Sequence, residues 1–172
     1  ERARFEAAYA AHGRSVLAYA MRRTDPDTAH DVLAEVFLVA WRRIDDLPQE
    51  SLPWLLGTAR RVLANARRAE RRRDALTERV IDGGAEAFAH AAQADRGEPG
   101  PVLEALASLA EHDREALMLV AWDGLAPSEA AEALGLRAPA FRMRLSRARR
   151  QLAKALEQGG SAHLVPEVAR GR

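Results

Sequence analysis

Residues 125–157 read LAPSEAAEALGLRAPAFRMRLSRARRQLAKALE, and the pattern predicts two helices joined at a tight turn. Ala131 and Gly135 stand where a helix-turn-helix needs a small residue and a turn glycine. Leu134, Leu136, Phe141 and Leu145 supply the apolar seam. At about 100° per residue, Phe141, Leu145, Ala148, Leu152 and Leu156 share one narrow face of the second helix. Arg142, Met143, Ser146, Arg147 and Arg150 gather on the opposite face, with Arg144 and Arg149 beside the stripe. Such a helix pair presents its second member to the major groove of DNA. The far face would meet base edges, and the flanking arginines would meet phosphates.

The charge balance of the whole chain hides this polarity. Its 172 residues carry a net charge of only +1. The charges are segregated, however. Arg60 to Arg73 is rich in arginine against the single acid Glu70, and Arg137 to Lys154 has no acid at all. Between them, Asp82 to Pro101 (DGGAEAFAHAAQADRGEPGP) is glycine-rich and acidic. Two basic patches on either side of an acidic connector say more than the sum.

Composition excludes several classes. There is no cysteine, hence no disulfide framework and no thiolate metal site. The histidines lack ligand spacing, so neither metal nor cofactor is expected. No nucleophile–base pair and no phosphate loop is visible, so no enzyme activity is expected. No apolar run approaches the roughly 18 residues of a membrane span, and no signal segment is seen, so a cytoplasmic protein without membrane insertion is expected.

Helical periodicity recurs along the rest of the chain. Phe5 to Arg23 places Phe5, Tyr9, His12, Val16 and Tyr19 on one face. Thr24-Asp25-Pro26-Asp27 reads as a break. A second helix is predicted from about Thr28 to Ile44, then a polar loop from Asp45 to Pro53, then a third helix from Trp54 to about Val80. Val102–Leu109 and Asp113–Trp122 predict two more helices ahead of the helix-turn-helix. The fold class is therefore all-α: two small helical domains, 1–80 and 102–157, joined by a flexible acidic linker over 81–101. The linker composition allows a transient helix over Ala85–Ala92. Residues 158–172 read as a flexible tail.

The ordered segments FEAAYAAHGRSVLAYAMRRT, DTAHDVLAEVFLVAWRRI, PWLLGTARRVLANARRAERRR and LASLAEHDREALMLVAWDGLAPSEAAEALGLRAPAFRMRLSRARRQL resemble bacterial RNA polymerase sigma factors of the extracytoplasmic-function group. The resemblance runs from about Phe5 to Glu157. It implies core RNA polymerase and promoter DNA as partners, and an anti-sigma factor as an inhibitor. It also implies that the first domain opens and reads the −10 element and the second reads the −35 element.

The resemblance assigns roles by position. The family's core-binding motif D-x-x-Q-E-x-F aligns with Asp31 to Phe37, where Asp31 and Glu35 match and Ala34 replaces glutamine. Read from the sequence, Thr28 to Asp31 also approximates a capping box, with Asp31 facing its own helix start. For −10 recognition the resemblance points to Asp46, Gln49 and Glu50 in the loop, and to Arg60, Arg61, Asn65 and Arg68 on the third helix. Arg67, Arg71 and Arg72 would add phosphate contacts, and Trp54 and Phe37 would be core. For the −35 element it points to Arg137, Arg142, Met143, Arg144, Ser146, Arg147 and Arg149. Arg142 and Arg147 are the expected base readers, because arginine forks onto guanine. Where relatives have glycine and threonine at the recognition helix start, this chain has Pro139 and Ala140. The competing reading is a stand-alone helix-turn-helix regulator that binds duplex operators. A third is a module that chiefly engages an inhibitor protein.

Overall fold

The computed structural model of the chain describes residues 1–75 and 100–162. Within them every regular element is helical: α1 (Arg2–Met21), α2 (Pro26–Arg42), a 3-10 turn (Ile44–Asp46), α3 (Leu52–Ala75), α4 (Pro101–Ala107), α5 (Glu111–Ala121), α6 (Pro127–Ala133) and α7 (Ala138–Ala162). The all-α expectation, with two helical units, is met.

In the first unit, α1, α2 and α3 pack mutually. Val16, Tyr19 and Ala20 of α1 meet Val32, Val36, Phe37 and Ala40 of α2, and Leu55, Leu56, Ala59 and Leu63 of α3, all buried. These positions repeat every three to four residues, as an inward helix face requires. Helix α2 begins two residues earlier than the sequence suggested. Pro26 occupies its first turn rather than breaking it, since a missing N–H costs nothing there. Asp25 is the N-cap and accepts the Thr28 N–H at 3.0 Å. That hydrogen bond holds the Asp25 carboxyl below its ordinary pKa. The capping role entertained for Asp31 is thereby overturned: Asp31 lies a turn further on, exposed.

In the second unit α4, α5 and α6 all pack on α7. Helix α4 starts at Pro101, with Gly100 as its N-cap. Helix α7 runs five residues past Glu157, to Ala162, so the predicted tail begins as helix. No proline lies between Pro139 and Pro166, and extending a formed helix costs less than starting one. The rest of the linker, its transient helix, residues 76–80 and the remaining tail lie outside the described residues.

The two units pack on each other through α3 and α6. A Cβ added at Gly57 would stand 3.0 Å from the Ala133 carbonyl oxygen and 3.3 Å from its Cα. Glycine at 57 is what permits this backbone approach. Charged groups close the remaining contact. Tyr19 donates to Glu115 at 2.7 Å, and Arg23 pairs with Glu115 at 2.9 Å and with Asp123 at 3.1 Å. Arg22 also pairs with Asp123. Arg67 reaches Glu111 at 2.6 Å and the Arg23 carbonyl at 3.0 Å.

Candidate nucleic-acid interface

Helices α6 and α7 form the predicted helix-turn-helix, and the turn shows why its sequence works. Glu129 accepts the Ala126 N–H at 2.6 Å and caps the start of α6. At the other end Gly135 adopts φ +65°. Its N–H bonds to the Glu132 carbonyl at 2.9 Å, and the Leu136 N–H bonds to Ala131 at 2.8 Å. This paired closure ends a helix on a left-handed residue, which glycine adopts without a Cβ penalty. The chain is thus redirected within a few residues, and Pro139 falls in the first turn of α7.

The apolar stripe predicted for α7 is inward: Phe141, Leu145 and Ala148 are buried, and Leu152 packs at the edge of the core. Arg142, Met143, Ser146, Arg147, Arg149 and Arg150 are exposed, as is Arg137 ahead of the helix. Met143 is 76% exposed, too open for a packing role and suited to an apolar contact with a base. Arg142 and Arg149 make no hydrogen bond or ion pair among the described residues, so their forks are available. Arg144 is half-buried at the boundary between the units.

Arg147 is not free. Its Nε donates to Asp113 Oδ2 at 3.3 Å and its Nη2 to Oδ1 at 3.0 Å. The side-on hydrogen bonds and the nearby carboxylate raise the arginine's pKa above its ordinary value. The Asp113 side chain is 3% exposed and that of Arg147 50%.

In the first unit, Asp46 of the loop is held by Arg43 through two hydrogen bonds of 3.0 and 2.9 Å, while Gln49 and Glu50 are exposed. Trp54 packs at the edge of the core as expected, with the Arg43 guanidinium 5.9 Å from its ring centre. On α3, Arg60, Arg61, Asn65 and Arg68 are exposed. Asn65 accepts from Arg68 at 2.5 Å and Arg61 donates to Thr58 at 3.2 Å. The packing of the units brings Arg60, Arg61 and Arg68 to the same cleft as Arg144, a cavity of about 490 Å³. Candidate −10 and −35 contacts therefore line one basic cleft. Sequence spacing gave no sign of this.

Asp31 and Glu35, one turn apart on α2, are both exposed, with Leu38 and Trp41 continuing the same surface. Ala34 lines a shallow apolar recess with Phe5, Phe37, Leu38 and Trp41. Phe5 stands edge-on to Phe37 and Trp41, with ring centres 6.0 and 5.3 Å away. This face offers a pair of carboxylates beside an apolar recess.

The sequence reading missed the acids that organise the arginines. Burial pushes the Glu115 carboxyl up, but the Arg23 charge and hydrogen bonds from Arg23 and Tyr19 outweigh it and leave it below its ordinary value. Burial pushes the Tyr19 phenol well up, and the Glu115 charge adds to this. Burial alone would lower Arg23, but its electrostatic contacts with Tyr19, Glu115 and Asp123 raise it. A signal did exist for Asp113. It precedes Ala116 and Leu117 at helical spacing, and a carboxylate on an inward face needs a partner. Its partner stands 34 residues away, beyond the reach of local patterns.

Comparison with known proteins fits this geometry. The sigma-70 region 2 model matches residues 8–73, and the sigma-70 region 4 model matches residues 100–152. The chain belongs to the sigma-70 family. A probable RNA polymerase sigma factor, RfaY of Xanthomonas campestris pv. campestris, is 33% identical over 149 residues, which are 78% of this chain. The chain spans only 35% of that relative's length. Among solved structures, the sigma factor RpoE of Bartonella quintana, in complex with the anti-sigma factor NepR, aligns with a TM-score of 0.66 at 21% identity. That alignment covers 89% of this chain and 96% of the other. CnrH, in complex with the cytosolic domain of CnrY, aligns at 0.63 and 23% identity, covering 92% and 90%. At these identities the two structures speak for the fold alone. No helix among the described residues is long and apolar enough to cross a membrane.

Proposed function

We propose that the chain is a promoter-specificity subunit that binds core RNA polymerase and directs it to start transcription. The observation that carries this reading is the conjunction of two exposed surfaces on one chain. The outward face of α7 offers groove-reading residues on a buried apolar stripe. The outward face of α2 offers Asp31 and Glu35 beside an apolar recess, a surface for a basic, partly apolar partner helix. A stand-alone operator-binding regulator has use for the first but not the second.

In this reading Arg142, Met143, Ser146 and Arg147 face −35 base edges, while Arg137, Arg144 and Arg149 take phosphates. Arg60, Arg61, Asn65 and Arg68, with the loop residues Asp46, Gln49 and Glu50, serve the −10 strand. Polymerisation belongs to the core enzyme, and this chain contributes binding rather than catalysis. An anti-sigma factor is its proposed inhibitor, in keeping with the complex of RpoE with the anti-sigma factor NepR. The cytoplasm, where polymerase works, is the proposed location.

The test is reconstitution with core polymerase over a promoter library. Co-elution with core and runoff transcription from a defined promoter set are expected. Specific duplex binding with neither would favour the operator-binding regulator. Asp31→Ala with Glu35→Ala should weaken co-elution while leaving binding to isolated −35 duplex unchanged.

A further inference from the structure

We infer that Asp113, on α5, sets the base specificity of the recognition helix by holding Arg147 side-on, so that the free end of the guanidinium meets one guanine. This rests on the promoter-reading proposal above. The guanidinium has two edges that can each make a paired contact: the side edge, Nε with Nη2, and the end edge, Nη1 with Nη2. Asp113 takes the side edge through 3.3 and 3.0 Å hydrogen bonds. The end edge stays open, and it matches the O6 and N7 acceptors of guanine in the major groove.

The asymmetry of burial supports a positioning role. The carboxylate is almost fully enclosed while the arginine is half exposed, so the acid is the fixed member and the arginine the presented one. Asp113 is itself fixed in the first turn of α5, where its N–H bonds to the Ala110 carbonyl at 2.9 Å. Among the described residues, His112 Nε2 also lies 3.6 Å from Asp113 Oδ1. A flexible arginine loses rotamer freedom when it binds a base. One already held by a carboxylate has lost much of it beforehand, which sharpens discrimination. Arg142, on the same face, has no such support and is expected to discriminate less.

The experiment selects −35 duplexes from a randomised library using the full chain with core polymerase. The wild type should show a guanine preference at one position of the selected sequences. Arg147→Ala should reduce it about tenfold or more. Asp113→Asn should reduce it at the same position, with preferences elsewhere unchanged. The double variant should match Arg147→Ala alone. An unchanged preference in Asp113→Asn, an equal loss at every position, or additive effects in the double variant would overturn the inference. If Asp113→Asn does not fold, Arg147→Lys carries the test. It keeps the charge but lacks two edges, so it should lose the preference while keeping overall affinity, and retained preference would overturn the inference. A wild type that enriches no sequence overturns the promoter-reading proposal and this inference with it.

Discussion

Replacing Glu115 by alanine should open the two units and raise affinity for isolated −35 duplex. Glu115 pairs with Arg23 at 2.9 Å and accepts from Tyr19 at 2.7 Å across the unit boundary. The Glu115 side chain is 15% exposed and that of Arg23 6%. Removing one partner of a buried pair costs about 3–5 kcal/mol, because the other charge is left buried. Asp123 still faces Arg23 at 3.1 Å, so the lower end applies. About 3 kcal/mol shifts the closed-to-open ratio roughly a hundredfold. Alanine is a strong helix former, so α5 itself should not suffer.

The opening matters because of span. The −10 and −35 elements lie about 25 positions apart, or roughly 85 Å of duplex at about 3.4 Å per position. A compact chain of this length has a radius of gyration of about 16 Å and hence a diameter of about 40 Å. Under the promoter-reading proposal, the closed arrangement cannot engage both elements, and Arg144 lies at its unit boundary. The chain contains no cysteine, so Ala3→Cys on α1 and Gln151→Cys on α7 accept a dye pair cleanly. Energy transfer should fall in Glu115→Ala, and −35 duplex affinity should rise by up to about a hundredfold. Unchanged transfer with unchanged affinity would refute the reasoning that these ion pairs hold the units together.

Gly57→Ala should separate local from global effects: it favours helix α3 by about 1 kcal/mol, yet pushes a Cβ to 3.0 Å from the Ala133 carbonyl oxygen. The dye pair should report opening while the first unit, measured alone by hydrogen exchange in α2 and α3, holds or gains protection. Acid stability follows from Glu115 and Asp25, both held below their ordinary values. Their contribution is fully present above about pH 4.5 and is lost as pH falls through the folded-state values. Melting temperature should therefore stay level from pH 8 to about 5 and decline below about 4.5, and a decline already between pH 7 and 5 would contradict this. Arg149→Ala should weaken binding to all −35 sequences alike and flatten the salt dependence by about one unit; a changed base preference would contradict its assignment to phosphate. Phe141→Ala, at a fully buried site, should cost about 3–5 kcal/mol in unfolding by denaturant.

The faces of the helices were legible because burial along a helix repeats with the chain itself. Phe141, Leu145 and Ala148 turn inward together, so Arg142, Met143, Ser146 and Arg147 must turn outward, and no tertiary knowledge is needed for that. The turn was legible for a similar reason, since Gly135 meets a local backbone demand. Helix starts were less so, as at Pro26, because a proline ends one helix and begins another with the same ring. The junction between units was not legible at all. Glu115 and Arg23 are 92 residues apart, and nothing in either neighbourhood selects the other.

That difference explains the misleading net charge. An arginine-rich chain with a balance of only +1 suggests that acids cancel the basic surface. The structure instead puts several acids where they do not cover the outward face of α7. Asp113 lies under α7, and Glu115 and the Asp123 side chain sit in the seam between the units. Each neutralises arginines at a contact, while Arg142 and Arg149 stay open on α7. Acids seated below the surface, with Arg142 and Arg149 left open above them, give a surface suited to a polyanion on a chain that is nearly neutral overall. It also ties the exposed charge to the state of the seam. When Glu115 and Asp123 part from Arg22 and Arg23, the first unit gains two unpaired arginines near α3, on the side where the −10 strand is proposed to lie. Opening would then raise the reach of the chain and its local basicity together.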